Sequence, residues 1–323
     1  MRAMILAAGL GTRLHPLTLV RPKVLMPLRG IHVLDFWIER LHRCGFRSVT
    51  VNAFHLKEDL VSAVERGKWP IPVEILTEHI LLGTGGGIRT ALGSFGDEPF
   101  AVINGDIVCD APLDSLYEQH ARSGAQVSML LHDWPEFNNV GIDETGSVLG
   151  FGKEVVEIAE SRNGFRLQAF TGIHFIDPSA LRSSPVGVPI DILDIYRGLI
   201  ARGRPPKALF CPDMFWREMG SIESYKRLTN ELGVLAPNFL PPLRTGDALF
   251  IHPEAYVAPG ARLKGSVVAG RGVRIEKGVR LQDVILWDNV RVDADSSLRG
   301  CIVSDGMRIS GNHSEKVFVP VQT

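Results

Sequence analysis

The stretch Met4–Pro27 reads MILAAGLGTRLHPLTLVRPKVLMP, and its chemistry changes twice along its length. Met4-Ile5-Leu6-Ala7-Ala8 is an unbroken apolar run, the composition of a strand buried on both faces of a parallel sheet. It breaks into Gly9-Leu10-Gly11-Thr12-Arg13. Glycines lack Cβ, so backbone N–H groups there can approach an anion and the chain can turn after the strand. Pro16 and the cluster Arg21-Pro22-Lys23 follow. Arg13 offers a planar fork of donors and Lys23 a compact charge, and both suit phosphate oxygens. A strand, a glycine loop and two cations in this order predict a polyphosphate site at the carboxyl end of a strand.

Two familiar phosphate loops are excluded. Leu14 stands where G-x-G-x-x-G needs its third glycine, and no G-x-x-x-x-G-K-[ST] is present. Taken alone, a two-glycine loop also fits a plain turn. The full string, LAAGLGTRLHPLT followed by RPK, resembles the signature of the sugar-1-phosphate nucleotidyltransferases, or NDP-sugar pyrophosphorylases. That resemblance implies nucleotide contacts at Leu6, Ala8, Gly9, Gly11 and Thr12, with Arg13 and Lys23 as catalytic cations.

Composition sets the outer limits. A chain of 323 residues suggests about two domains. Lys and Arg total 35 against 36 Asp and Glu, a formal net charge of −1, so no basic surface for nucleic acid or anionic membrane is indicated. Cys44, Cys109, Cys211 and Cys301 are scattered, with neither a disulfide framework nor a zinc-site spacing. The N-terminal apolar run ends at Gly11-Thr12-Arg13 without a cleavage pattern, and no run reaches transmembrane length. A cytoplasmic protein acting on small molecules is expected.

Downstream, Leu34, Trp37, Ile38 and Leu41 fall at helical spacing over residues 31–44, with Gly45 where a helix would stop. Strands are predicted at 48–52, 73–76 and 100–103, alternating with helices, which means a largely parallel sheet covered on both faces. The segment Leu82–Ile88 holds four glycines in five positions before a helical stretch, 88–92. Three adjacent glycines are entropically costly, so either a flexible turn or a close backbone approach is implied. The segment resembles the family's LGTAGG element, which implies nucleotide contacts at Gly83, Thr84, Gly85 and Glu78.

The apolar strand Phe100–Ile103 ends in Asn104-Gly105-Asp106. A carboxylate beside a triphosphate requires a divalent cation between them, so Asp106 reads as a Mg²⁺ ligand. A helix cap or turn residue is the alternative. The family's N-G-D motif supports the metal reading and gives Asp106 a catalytic role. Further resemblance implies sugar-phosphate contacts at Gly141, Lys153, Thr171 and Gly172. Near Lys153 the family has Glu-Lys-Pro, where this chain has Gly152-Lys153-Glu154. The family's W-x-D-x-G motif appears as Trp216-Arg217-Glu218-Met219-Gly220, so Glu218 replaces the second metal-binding aspartate.

Ala236–Pro242 is proline-rich, and a linker over 236–249 is expected to join a nucleotidyltransferase domain (1–235) to a second domain (250–323). In the latter, Ile251, Val257 and Leu263 recur every six residues, as do Val273 and Val279, with glycines between. The pattern resembles the hexapeptide repeat of a left-handed parallel β-helix, read as an assembly element that favours homo-oligomers. The expected fold is thus α/β: a Rossmann-like domain with a mixed, mostly parallel sheet, plus a small C-terminal β-helix. The expected reaction joins a nucleoside triphosphate to a sugar 1-phosphate, with GTP and mannose 1-phosphate as the pair. A silent NDP-sugar-binding relative, or the same chemistry with UTP or dTTP and glucose 1-phosphate, is the alternative.

Overall fold

The structure, a computed structural model, describes residues 1–153, 155, 164–233 and 247–320. The chain divides into two compact units, Met1–Gly9 with Trp37–Trp216 and Leu10–Phe36 with Arg217–Thr323. Most of the linker expected at 236–249 lies outside the described residues.

In the first unit one sheet holds nine described strands: β1 (Ala3–Leu6), β2 (Val49–Ala53), β3 (Val73–Thr77), β4 (Phe100–Asn104), β5 (Val127–His132), β6 (Val140–Ile142), β7 (Val148–Phe151), β8 (Arg166–Ile176) and β9 (Lys207–Phe210). The order is β7-β6-β8-β4-β1-β2-β3, with β5 also on β8 and β9 beyond β5. β1 runs parallel to β2 and β4, which brings Leu6 level with Asn52 and Asn104. Only β7 and β8 run against the other described strands, so the sheet is mixed and mostly parallel. Met4 and Ile5 are wholly buried, as an apolar central strand requires. The strand ends at Leu6, two residues earlier than the apolar run, because Ala7 turns its N–H onto the Asn52 side chain.

The helix predicted at 31–44 forms over Val33–Arg43, and Leu34, Trp37, Ile38 and Leu41 are all wholly buried. The Trp37 indole N–H donates to the Ile107 carbonyl at 2.8 Å, which satisfies the one polar atom of a buried ring. Gly45, at φ 77°, takes the left-handed turn that ends the helix.

The second unit contains a parallel β-helix, and its register explains the six-residue recurrence. Val257 pairs with Ile275, Ile275 with Val292, and Val292 with Ile309, so successive coils are 18, 17 and 17 residues long, about three hexapeptides each. A second ladder runs Leu263, Leu281, Leu298, and a third Ala269, Leu286, Val303. These aliphatic columns fill the core of the coil. Turn carboxylates bind the coil before them. Asp283 accepts from Ser266 N–H, Asp288 from Arg271 N–H and Asp305 from Asp288 N–H, at 2.8–3.0 Å.

Two histidines sit inside the first unit. His120 Nδ1 lies 2.9 Å from Ser128 Oγ, and His174 bonds the Tyr196 hydroxyl. Burial lowers His120 to about 4 and His174 to about 3. A depressed folded-state pKa means the unfolded chain takes up protons first as pH falls. Stability should therefore drop from about pH 6.5 downward, by about 1.4 kcal/mol per pH unit for each histidine. Urea denaturation between pH 7 and 5 measures the slope, and His120→Leu should roughly halve it. An unchanged slope in that variant would rule out the assignment.

Candidate active site

The carboxyl ends of β1, β2, β3 and β4 lie side by side in the first unit, and a buried polar network closes them. Asn52, at the end of β2, accepts from Ala7 N–H through Oδ1 at 2.8 Å and donates through Nδ2 to Glu78 Oε1 at 2.7 Å. Glu78 Oε2 accepts from Leu82 N–H at 3.1 Å. Both side chains are almost fully buried. The carboxylate of Glu78 therefore holds the strand ends in place, and its oxygens face the protein. Asn52 escaped the sequence reading of a functional site, although a lone amide near the end of the buried strand Val49–Ala53 was its signal.

The glycine run behaves differently from a loop. Gly83–Thr90 is one helix, so the glycines form its body and the helix predicted from Ile88 begins five residues earlier. Its close neighbours are this chain's own atoms. A Cβ on Gly86 would fall 2.4 Å from the Val188 carbonyl oxygen, and one on Gly85 3.0 Å from the Asp191 carbonyl carbon. On Gly87 it would fall 2.8 Å from Glu78 Oε1. Gly83, at φ 69°, backs onto the Ile190 carbonyl. Thr84 Oγ1 accepts from Ile192 N–H at 3.0 Å, beside Asp191, whose side chain caps the helix Ile192–Ala201. The missing Cβ atoms thus let two helices and the Asn52–Glu78 pair pack together.

Gly9 stands in open space at the end of the β1 segment, with Ala8 buried before it. The Gly105 N–H donates to the Leu6 carbonyl at 2.9 Å, which seats the Asn104-Gly105-Asp106 turn beside β1. Asp106 is half-buried there. Across β4, Thr171 and Gly172 form an irregularity in β8. Thr171 Oγ1 donates to the Leu130 carbonyl at 2.7 Å, and Trp216 Nε1 donates to the Thr171 carbonyl at 2.8 Å. Gly172 has φ 80°, and a Cβ there would meet Asn104 Nδ2 at 2.7 Å. Gly141 lies under the Phe165 ring, where a Cβ would approach to 2.4 Å. Lys153 is exposed, and its neighbour Glu154 lies outside the described residues.

In the second unit, Gly11 (φ 62°) accepts from Thr18 Oγ1 at 2.8 Å and opens the turn Thr12–Leu14. Arg13 reaches back to Glu218, Nη1 to Oε1 3.7 Å, with side chains 66% and 18% exposed. An ion pair that exposed and that long is weak, so Arg13 remains able to turn to another anion. Gly220 makes the pairing possible, since a Cβ there would lie 2.6 Å from the Glu218 carboxylate and 2.8 Å from Arg13 Nη2. Lys23 lies on the short turn Lys23–Leu25. Asp106 in the first unit and Glu218 in the second each offer carboxylate oxygens, the donor type that a hard divalent cation takes. Mg²⁺ characteristically takes one or two carboxylates and completes its shell with substrate phosphates and water.

None of these residues lines the cavity of about 660 Å³ at the opposite, amino-terminal edge of β5 and β9, which is bordered by Gln126, Ser147, Arg204 and Lys207. Of the described elements, no helix is long and apolar enough to cross a membrane.

Asn52→Ala should leave the Ala7 N–H and one Glu78 oxygen without partners and lower the unfolding free energy by about 1–3 kcal/mol. Chemical denaturation reads this out, and a change below about 0.5 kcal/mol would remove the network from its structural role.

Comparison with known proteins identifies the chain's relatives. The nucleotidyl transferase family model matches residues 2–233, and the GMPPB C-terminal domain model matches residues 245–315. The mannose-1-phosphate guanylyltransferase of Mycobacterium tuberculosis is 31% identical over 311 residues, covering 93% of this chain and 82% of that protein. A UTP–glucose-1-phosphate uridylyltransferase from Synechocystis is 27% identical, covering 96% and 77%. Among solved structures, HddC from Yersinia pseudotuberculosis superposes with a TM-score of 0.58 at 21% identity, covering 71% of this chain and 98% of that one. With a family model spanning most of its length and a relative this similar, the chain belongs to the sugar-1-phosphate nucleotidyltransferases of the nucleotidyl transferase family.

Proposed function

We propose that the protein joins GTP to mannose 1-phosphate, forming the NDP-sugar and releasing pyrophosphate. The observation that carries this reading is the 31% identity to a mannose-1-phosphate guanylyltransferase across 93% of the chain, together with the match of the C-terminal segment to the GMPPB model. The same chemistry with UTP and glucose 1-phosphate is the second reading, favoured by the Synechocystis relative.

In the proposed reaction an oxygen of the sugar phosphate attacks the α-phosphorus of the nucleotide in line, and the bond to the departing pyrophosphate breaks. The attacking oxygen is already anionic, so no general base is required. The buried, proton-poor His174 is consistent with that. Catalysis then rests on positioning and charge. The Gly9–Thr12 backbone and Arg13 steady the β- and γ-phosphates, Lys23 follows the nucleotide phosphates through the reaction, and Lys153 fixes the attacking phosphate. Asp106 and Glu218 are the residues that would hold Mg²⁺, which when bound neutralises charge on the phosphates. Gly141, Thr171 and Gly172 shape the sugar side through backbone. A silent, NDP-sugar-binding relative would draw on Glu218 and Gly152, which stand where the family has aspartate and glutamate.

Pyrophosphate release, measured with Mg²⁺ across nucleoside triphosphates crossed with sugar 1-phosphates, tests the proposal. GTP with mannose 1-phosphate should exceed every other pair. Turnover of a different pair reassigns the substrates, and silence across the grid with NDP-sugars still raising the melting temperature favours the binding relative. Lys23→Ala and Asp106→Asn should each lower kcat on the order of 10²–10³-fold, and losses under about tenfold would overturn those two roles.

A further inference from the structure

The segment Arg21–Pro27, which carries Lys23, is fastened at both ends to the second unit's β-helix and the helix beside it. At its start, the Arg21 guanidinium bonds the Asp305 carboxylate and lies over the Trp287 ring, 4.8 Å from the centroid. At its end, the Pro27 carbonyl accepts from the Tyr225 hydroxyl at 2.7 Å. Tyr225 in turn accepts from the Trp287 indole N–H at 3.0 Å. Trp287 therefore touches both fastenings, and it and Tyr225 are almost wholly buried. Between them the backbone closes tight turns, Leu25 N–H to Pro22 O at 2.9 Å and Met26 N–H to Lys23 O at 3.1 Å.

The anchor points are themselves rigid. Asp305 accepts from Asp288 N–H at 3.0 Å, the same coil-to-coil bond that repeats along the β-helix. Trp287 N–H donates to the Val303 carbonyl at 2.9 Å. The helix Ile222–Leu232, which supplies Tyr225, is bound to the next coil where Lys226 bonds the Gly300 carbonyl and pairs with Glu315 at 3.0 Å. A short loop anchored at both ends by buried aromatic groups loses little further freedom when a ligand arrives.

The geometry points to the β-helix as a positioning element for catalysis: Trp287, Asp305 and Tyr225 hold the Arg21–Pro27 loop so that Lys23 is presented in one place. None of the three is a catalytic residue, since each acts through the loop. This assignment rests on the proposed role of Lys23 at the nucleotide phosphates. It differs from the assembly role expected of a hexapeptide-repeat tail, because it gives the coil a task within a single chain.

Asp305→Asn keeps the bond to Asp288 N–H and removes the charge that holds Arg21, and Trp287→Phe keeps a ring and removes the N–H donor. Both should lower kcat/KM for the nucleotide about tenfold or more, the scale of a displaced catalytic group, while KM for the sugar 1-phosphate stays within about twofold. Backbone hydrogen exchange over residues 21–27 should quicken about tenfold. Arg21→Met combined with Asp305→Asn should be no worse than either alone, since the two act as one contact. A lowered melting temperature with wild-type nucleotide kinetics and wild-type exchange would reduce the contact to ordinary stability and overturn the inference. Should the unaltered protein turn over no substrate pair, the proposed activity fails, and the exchange result alone still decides whether the β-helix holds the loop.

Discussion

The hydrogen bond between Asn52 and Glu78 is the constraint on which the carboxyl edge of the first unit's sheet depends. A parallel sheet ends in a row of backbone groups that need partners, and burying them without partners costs more than the bond itself returns. Here two side chains answer for three strand ends. Asn52 takes the Ala7 N–H, Glu78 takes the Leu82 N–H, and the pair joins them. The price is steric. Gly87 can carry no side chain, and the neighbouring glycines cannot either, because helix Gly83–Thr90 packs against the backbone of residues 188–192. Once these ends are fixed, Gly9 is left in open space, where even an added Cβ would meet nothing within 4 Å.

The second unit solves a different problem. Its N-terminal stretch carries Gly11, Arg13 and Lys23, group types that suit anions, and Arg13 is largely exposed. Glu218 meets Arg13 at 3.7 Å, and Gly220 allows that approach. Arg21, to which the sequence pattern assigned no role, meets Asp305 and Trp287. The division of labour is physical. A guanidinium paired with a carboxylate and stacked on a buried indole is a structural bolt, and the short turn that carries Lys23 follows directly after it.

Much of this was legible in the chain. The central strand follows from its unbroken apolar run and the Val33–Arg43 helix from apolar spacing, while the β-helix was read from a six-residue recurrence that resembles the hexapeptide repeat. The strand end before Gly105-Asp106 could also be read, since the apolar run Phe100–Ile103 stops there. The glycine run could not. Sequence shows that backbone must come close to something there, and only the fold reveals that most of that something is residues 188–192, a hundred positions away. Asn52, Asp191 and the Arg21 anchors were hidden for the same reason, because each has a partner remote in sequence and no local pattern to mark it.

A crystal structure with GDP-mannose and Mg²⁺ bound tests the central claim most directly. The expected result is a diphosphate against the Gly9–Thr12 backbone, with the cation on the Asp106 carboxylate and Lys23 directed at the phosphates. A nucleotide in the cavity beside Arg204 and Lys207 instead, or a diphosphate that leaves Gly9 and Asp106 untouched, would contradict it.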